Sequence, residues 1–342
     1  MIKTFQYRIK DSTCAAELTV LARACNQVWN FCNESQEHAL RWNQRWPTYQ
    51  DLCKLTTGSS KELGLHSQTV QAVCDEYATR RKQAKKRKLR WRGKRSLGWI
   101  PFKASGVKVV DDTVCYAGHT FRFWNSRDLP GPIKVGNFAQ DARGRWYVNF
   151  VCEVPEAEAT TGTQHVGIDL GLKTLATCSD GRKIEAPRWY RSQQRRIAEH
   201  QRKRRSRQAR NLQAKIANRR KDFLHKESDR LTKECELIVV GDVCSSKLTK
   251  TNMAKSVNDA GWSMFRHLLE YKAIARKVVY CEVSEHLTTQ ACSCCGSIGG
   301  PKGRKGLGVR EWVCSECHTV HDRDVNAALN ILRMGHHTLA LK

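Results

Sequence analysis

The sequence predicts a two-part fold: an α+β N-terminal half containing a small β-sheet or barrel, and an α/β C-terminal half. Three observations lead there. Apolar residues recur at helical spacing through the first third of the chain, and alternating β-branched and aromatic runs follow. After a small polar stretch from Pro155 to Thr163, the pattern changes to apolar strands joined by long helical segments. A length of 342 residues fits two domains at about 150 residues each. The expected division is residues 1–160 and 163–342.

Met1 to Lys10 alternates as a strand. From Ser12 to about Arg45, Ala16, Leu18, Leu21, Cys25, Val28, Trp29 and Cys32 fall on one helical face. A second helical region, about Ser67 to Lys88, carries Val70, Val73, Cys74 and Tyr77, so the helical part is expected over about 12–95. It ends in a basic block that includes Arg87, Lys88 and Arg90, interleaved with Trp91 and Trp99. Cations mixed with indoles suit phosphate tracking with base stacking; the plainer alternative is a solvated helix end with Trp99 in a core. Residues from about 100 to 154 are β-rich, through Val107 to Val110, Thr120 to Phe123 and Trp146 to Val151, with turns at Pro130-Gly131-Pro132 and Arg143-Gly144.

In the second half, His165 to Gly171 is a strand and Thr174 to Ser179 another, turning at Asp180-Gly181 into Lys183 to Ala186. Arg188 to Glu236 is rich in Arg, Lys and Gln, has no Pro or Gly, and is expected to form two helices. Leu237 to Val240 reads as a buried strand, Met264 to Lys277 as a helix and Val278 to Val283 as a strand. A hairpin followed by helix-linked strands suggests an RNase H-like α/β domain.

Charge narrows the function. Sixty Lys and Arg against 33 Asp and Glu leave +27, the balance of a nucleic-acid binder. An anionic membrane surface is the competitor, disfavoured because the basic residues are spread along the chain. No run of 18 apolar residues occurs, and the start lacks a secretory hydrophobic stretch, so no membrane partner and a cytoplasmic location are expected.

Sixteen cysteines would suggest disulfides in a short secreted chain, but here the most regular spacing is metal-like. Cys292-x-x-Cys295, 18 residues, then Cys314-x-x-Cys317 makes two knuckles that close a tetrahedral thiolate site for structural zinc, an inserted ribbon over about 290–320. Cys294 competes with Cys295 in register, and spacing favours Cys295. Cys314 to His318 also matches a haem-attachment pattern, which the partner knuckle argues against. Cys14, Cys25, Cys74 and Cys178 sit among apolar neighbours and read as buried small hydrophobes.

Acidic residues carry the second signal. Asp169 lies in an otherwise uncharged strand, where a buried carboxylate needs a partner or a metal. Asp324 opens a helix with Val325, Ala328, Leu329 and Leu332 on its apolar face; a capping acid is the plain alternative, and Asp322 could serve that role. Oxygen ligands suit Mg²⁺, and two-metal phosphodiester hydrolysis is the chemistry such a cluster serves beside nucleic acid. No Walker phosphate loop is present, because Gly299 to Gly308 lacks the Gly-Lys-Ser/Thr ending.

Gly167-Ile168-Asp169-Leu170-Gly171-Leu172-Lys173, Thr289-Gln290-x-Cys292-Ser293-x-Cys295-Gly296 and Asp322-Arg323-Asp324-Val325-Asn326-Ala327-Ala328-Leu329-Asn330-Ile331 together resemble the TnpB (OrfB) family. These are transposon-encoded proteins akin to type V CRISPR effector nucleases. The resemblance spans about residues 165 to 335; the N-terminal half fits the family's wedge and recognition parts only loosely. It implies a RuvC-type RNase H-like domain with a zinc ribbon in a prokaryotic, nucleoid-associated protein. The implied activity is Mg-dependent, RNA-guided cleavage of DNA next to a short motif, with guide RNA and target DNA as partners. Asp169 and Asp324 fall on the family's first and third catalytic acids.

The second acid departs from the pattern. The family places Glu directly after the apolar strand, whereas here Leu237 to Val240 is followed by Gly241-Asp242. One reading is an RNA-guided DNA binder without cleavage. The other is a relocated acid, Glu285, which strand alternation puts on the face of Val279, Cys281 and Val283, opposite Glu282. Were the two strands neighbours about 4.8 Å apart, a Glu side chain could span the gap and Gly241 would leave room for it. Asp242 is the shorter fallback, and an exposed junction acid is the plain alternative for Glu285. The second reading is the favoured one: Asp169, Glu285 and Asp324 as catalytic acids and magnesium ligands. A DNA-joining transposase is a third, weaker expectation. The run Arg202-Lys203-Arg204-Arg205, and beyond it Lys247, Lys250 and Lys255, are expected to neutralise phosphates.

Overall fold

The alternating N-terminus forms β1 (Ile2–Arg8), and the helical period after it forms α1 (Asp11–Arg41). The computed structural model describes residues 1–85, 89–156, 159–243, 254–306 and 308–340, in two units, Met1–Pro155 and Glu156–Lys342. Arg87, Lys88, Lys247 and Lys250 therefore lie outside the described residues.

In the first unit, Leu18, Leu21, Cys25, Val28, Trp29 and Cys32 of α1 are buried as their spacing requires, whereas Ala16, expected on that face, is exposed. Two short helices without a sequence signal follow, α2 (Tyr49–Leu55) and α3 (Ser59–Glu62); α2 is started by a capping box between Thr48 and Asp51. Helix α4 (Ser67–Ala84) buries Val70, Val73, Cys74 and Tyr77. It stops four residues short of Lys88, because Lys85 turns left-handed at φ 49° and caps the helix. The expected helical part to about residue 95 is thus corrected: residues 89–95 carry no helix.

The β-rich segment forms β2 (Trp99–Lys103), β3 (Val107–Val110), β4 (Thr113–Tyr116), β5 (His119–Arg122), β6 (Ile133–Gln140) and β7 (Trp146–Glu153). They build two sheets, β1-β7-β6-β2 and β3-β4-β5. The core between strands and helices is aromatic, with Tyr7, Phe102, Phe121, Phe123, Phe138 and Phe150 all buried.

The second unit opens with β8 (Gln164–Leu170), β9 (Thr174–Cys178) and β10 (Lys183–Glu185), with Gly181 at φ 86° in the turn between the last two. The basic stretch splits into α5 (Trp189–Arg202) and α6 (Ser206–Glu234). Then come β11 (Cys235–Gly241), α7 (Ala254–Ala260), α8 (Trp262–Arg276) and β12 (Val279–Val283). The one-turn α9 (Gly303–Gly306) and the β13 (Glu311–Val313) and β14 (Val320–Asp322) pair precede α10 (Arg323–Ala340). The sheet order is β10-β9-β8-β11-β12. Its first pairings are antiparallel, while β8, β11 and β12 run parallel. Cys14, Cys25, Cys74 and Cys178 are buried in the two units. No described helix is long and apolar enough to cross a membrane.

Two contacts fix α10. A Cβ at Gly167 would overlap the Ala328 carbonyl oxygen, and one at Gly335 would overlap Val239, so the helix lies directly on β8 and β11. Its buried Asn326 and Asn330 then hold the segment leading to the first cysteine knuckle. Asn326 Nδ2 donates to Thr288 O and Ala291 O at 3.2 and 2.8 Å, and Asn330 Nδ2 to the same carbonyls at 2.9 and 2.7 Å. The Ser293 amide donates to Asn326 Oδ1 at 2.8 Å.

Asn326→Ala strands that amide, whereas Asn330→Ala leaves both carbonyls a donor. Native-state hydrogen exchange of the 288–296 amides should therefore show a loss of about 2 kcal/mol for Asn326→Ala and about 1 kcal/mol or less for Asn330→Ala. Equal losses would contradict the clamp.

Candidate active site and metal centre

Asp169 is the penultimate residue of β8, paired with Thr177 of β9, and it faces the cleft beside α10. Asp324 stands in the first turn of α10. Capping falls to Asp322, whose Oδ1 accepts the Asp324 and Val325 amides, each at 3.0 Å, so the Asp324 carboxylate is left for other partners. Those partners are arginines: Arg310 Nη1 donates to Oδ2 at 2.9 Å, and Arg323 Nη2 to Oδ1 at 2.8 Å. Both aspartates line one cleft of about 730 Å³, together with Arg310, Arg323 and Gln290.

Glu285 lies two residues past β12. That strand runs parallel beside β11 with Val283 in register with Gly241. The Glu285 side chain occupies the space over Gly241: a Cβ there would overlap Oε1 and sit 2.6 Å from Cγ. Oε1 is buried without a hydrogen-bond partner, and the Glu285 amide donates to Asp242 Oδ1 at 3.3 Å. Glu282 points the other way, to Arg266 and Tyr280 at 2.8 Å each.

The acids interact through space. Burial, and then the charge of Asp324, push the Asp169 carboxyl up to about 7, against the pull of Arg323. Burial pushes Glu285 up to about 8, with Asp169 and then Asp242 adding to it and Arg266 opposing. A buried acceptor with no donor, beside carboxylates forced toward neutrality, is the donor chemistry of a hard-cation site. Among the described residues, no grouping of three or more metal-type donors within 4.8 Å includes these acids.

The cysteines do meet that spacing. Cys292, Cys295, Cys314 and Cys317 place their sulfurs within 4.8 Å of one another, with Cys292–Cys317 and Cys295–Cys314 each at 3.6 Å. Cys294 is exposed and outside the set, which settles the register. Amides of the second knuckle, Cys317 first, and the Ser297 hydroxyl hold the Cys314 thiol well below its usual range. Four sulfurs with knuckle amides directed at them fit a closed zinc ribbon. The haem pattern fails on the same geometry, since Cys314 and Cys317 each face a sulfur of the other knuckle and His318 is exposed.

Sequence reasoning missed four contributors: Arg310, the capture of Asp324 by Arg323, the asparagine clamp, and His321. The His321 ring is buried, lies tilted against Trp312 with ring centres 4.8 Å apart and brings Nε2 to 3.0 Å from Cys292 Sγ. Only the Asn326/Asn330 spacing of four was a visible signal. Of the basic candidates, Arg90 is exposed in the first unit. Arg202, Lys203, Arg204 and Arg205 are exposed at the α5–α6 turn, where Lys203 also pairs with Glu199 at 2.7 Å.

Two family models match the chain: a probable transposase of the OrfB type over residues 149–252, and the Cas12f1-like TNB domain over residues 262–331. A putative RNA-guided DNA endonuclease of Streptomyces pristinaespiralis is 38% identical over 228 residues, 61% of this chain and 55% of the relative. The Escherichia coli K12 putative RNA-guided DNA endonuclease InsQ is 29% identical over 251 residues, 64% of this chain and 61% of the relative. The chain thus spans little more than half the length of these relatives. The Cas12f1 chain solved in complex with sgRNA and target DNA shares the fold: TM-score 0.60 at 12% identity, covering 94% of this chain and 83% of that one. Between residues 149 and 331 the chain thus carries two matched domains, one of the OrfB-type probable transposases and one of the Cas12f1-like proteins, over the same stretch as its motifs.

Proposed function

We propose that this protein is an RNA-guided DNA endonuclease of the TnpB type. The second unit would be its RuvC-type, RNase H-like nuclease domain with an inserted zinc ribbon, and the first its wedge and recognition region. Guide RNA and target DNA would be the partners, in the cytoplasm of a prokaryotic cell. Asp169, Glu285 and Asp324 would hold Mg²⁺, and Cys292, Cys295, Cys314 and Cys317 structural Zn²⁺. The observation that carries the reading is the placement of Glu285 over Gly241, beside Asp169.

Bound magnesium would activate water and stabilise the leaving oxygen of the phosphodiester. The chain's own contribution is arrangement. Burial keeps Asp169 and Glu285 poorly solvated, so both favour a cation over water. Arg310 and Arg323 fix Asp324 at the cleft and place positive charge where a phosphate would approach. Arg90 and the exposed run from Arg202 to Arg205 would neutralise phosphates further out.

Gly241 in place of an acid favours a second reading, RNA-guided DNA binding without cleavage. Cleavage assays on protein copurified with its RNA separate the two. Glu285→Gln should lower Mg²⁺-dependent cutting by more than roughly 100-fold, beyond the cost of losing an outer-sphere contact. RNA content should not change, and adding Gly241→Glu to Glu285→Gln should return part of the activity. Wild type that never cuts, or Glu285→Gln that cuts normally, would remove the catalytic assignment.

The raised carboxyls also set a pH dependence. Their folded values, about 7 and about 8, exceed the ordinary 3.8 and 4.5, so the folded state binds more protons between those limits. The resulting stability is fully present below about pH 4 and is lost as pH rises through about 7 to 8. In magnesium-free buffer, Tm should fall over this window, and Asp169→Asn should flatten the slope. Added Mg²⁺ should raise Tm more at about pH 8.5 than at about pH 6, since the ion competes with protons for the same oxygens. A pH-independent Tm would contradict the buried-acid arrangement.

A further inference from the structure

A groove in the first unit has a chemistry that the catalytic centre does not use. Three asparagines along α1 take hold of the chain beyond α4. Asn30 makes a two-way pair with Arg92, donating to its carbonyl and accepting from its amide, both at 2.8 Å. Asn33 does the same with Leu89 at 2.8 and 3.1 Å, and Asn26 Oδ1 accepts from Arg92 Nε at 2.7 Å. Trp29 Nε1 donates to the Arg90 carbonyl at 3.1 Å. A segment with no regular structure is thereby pinned at both ends, with the Leu89 and Arg92 backbone groups and the Arg90 carbonyl satisfied by side chains.

The pinning decides where the side chains go. The Arg92 guanidinium sits between two indoles, 5.5 Å from the Trp29 ring and 5.6 Å from Trp99, closing the floor of a groove of about 600 Å³. Trp91 is 47% exposed and Leu97 51% exposed along it, while Arg90 and the Arg80–Glu76 ion pair, at 2.6 Å, also line it and leave Arg90, among the described residues, as its unpaired cation. Trp29 has a packing role at 8% exposure; Trp91 has none of comparable weight. An indole left open in a preformed groove among arginines, on a chain of charge +27, matches a planar, apolar-faced ligand attached to phosphate.

We propose that this groove is a stacking site for an unpaired nucleobase of the bound RNA, with Trp91 as the platform and Arg90 on the neighbouring phosphate. The source of the base rests on the RNA-guided reading above. The bases of paired target DNA stay stacked on one another, whereas loops and ends of a bound RNA offer unstacked bases to an aromatic platform such as Trp91.

The test uses the full chain, freed of copurified RNA by nuclease and high salt, and a fluorescein-labelled single-stranded RNA of about 20 nucleotides. Single-stranded and duplex DNA of the same sequence are the comparison probes. Trp91→Ala should weaken RNA binding roughly 5- to 100-fold, the value of one stacked base, and Trp91→Phe should regain most of it. Because stacking releases no counterions, the slope of log K against log salt should be unchanged in Trp91→Ala and shallower by about one in Arg90→Ala. RNA affinity equal to wild type in Trp91→Ala would overturn the stacking site while leaving the nuclease reading intact. A loss confined to the DNA probes would overturn the RNA assignment. Wild type that binds duplex DNA but no single-stranded RNA would overturn this proposal and the RNA-guided reading together. Cleavage lost in Glu285→Gln with RNA affinity kept leaves the groove standing on its own.

Discussion

Helix α10 lies so close on strand β8 that position 167 has no room for a Cβ, and the candidate site depends on that approach. Asp169 follows Gly167 by two residues on the strand, and Asp324 stands at the start of the helix crossing it. Bringing a helix N-terminus to a strand end sets two carboxylates from opposite parts of the domain around one cleft. The cost is electrostatic, since burial and mutual repulsion raise Asp169, and Arg310 and Arg323 offset it by holding Asp324. A bulkier residue at 167 would lift the helix and let both acids return to water.

The ribbon is tied to this arrangement rather than appended to it. The chain passes from Glu285 through Thr288 to Cys292 in seven residues, and Asn326 and Asn330 fasten that passage to α10. The ribbon also supplies Arg310, the residue before β13, as a partner of Asp324. The cysteine cluster therefore fixes the segments on both sides of it, one ending in Asp324 and the other beginning at Glu285. His321 joins the two regions directly, touching Cys292 three residues before Asp324.

Much of this was legible as residue type at fixed spacing. The paired knuckles, the uncharged strand around Asp169 and the turn at Asp180-Gly181 are local patterns, and local patterns survive without coordinates. Glu285 could be reached from an absence, a glycine after the apolar strand, plus the alternation of the next strand. Arg310 could not, because only the fold of a glycine-rich loop sends it to Asp324 rather than to solvent. Helices α2 and α3 were silent for another reason: they are a turn or two long, too short to show a period, and α2 rests on its capping box. The segment after α4 was mistaken for helix because its composition is helical. What ends the helix is Lys85 in a left-handed conformation, with the asparagines of α1 competing for the backbone beyond it.

Two donor chemistries stand in one unit of the chain, and their separation follows from residue type. Thiolates are soft and select zinc over magnesium, while carboxylate oxygens select the harder ion. The second knuckle's amides point at sulfur and hold Cys314 low, a setting that stabilises a permanent tetrahedral occupant. Asp169 and Glu285 are treated in the opposite way: burial raises both, and Glu285 Oε1 has no donor at all. A cation held by these carboxylates would compete with protons near neutral pH, whereas one held by the four sulfurs would not. On the proposed reading the sulfur cluster would be fixed scaffold and the carboxylates the responsive centre, with Asn326 and Asn330 fastening the chain between them to α10.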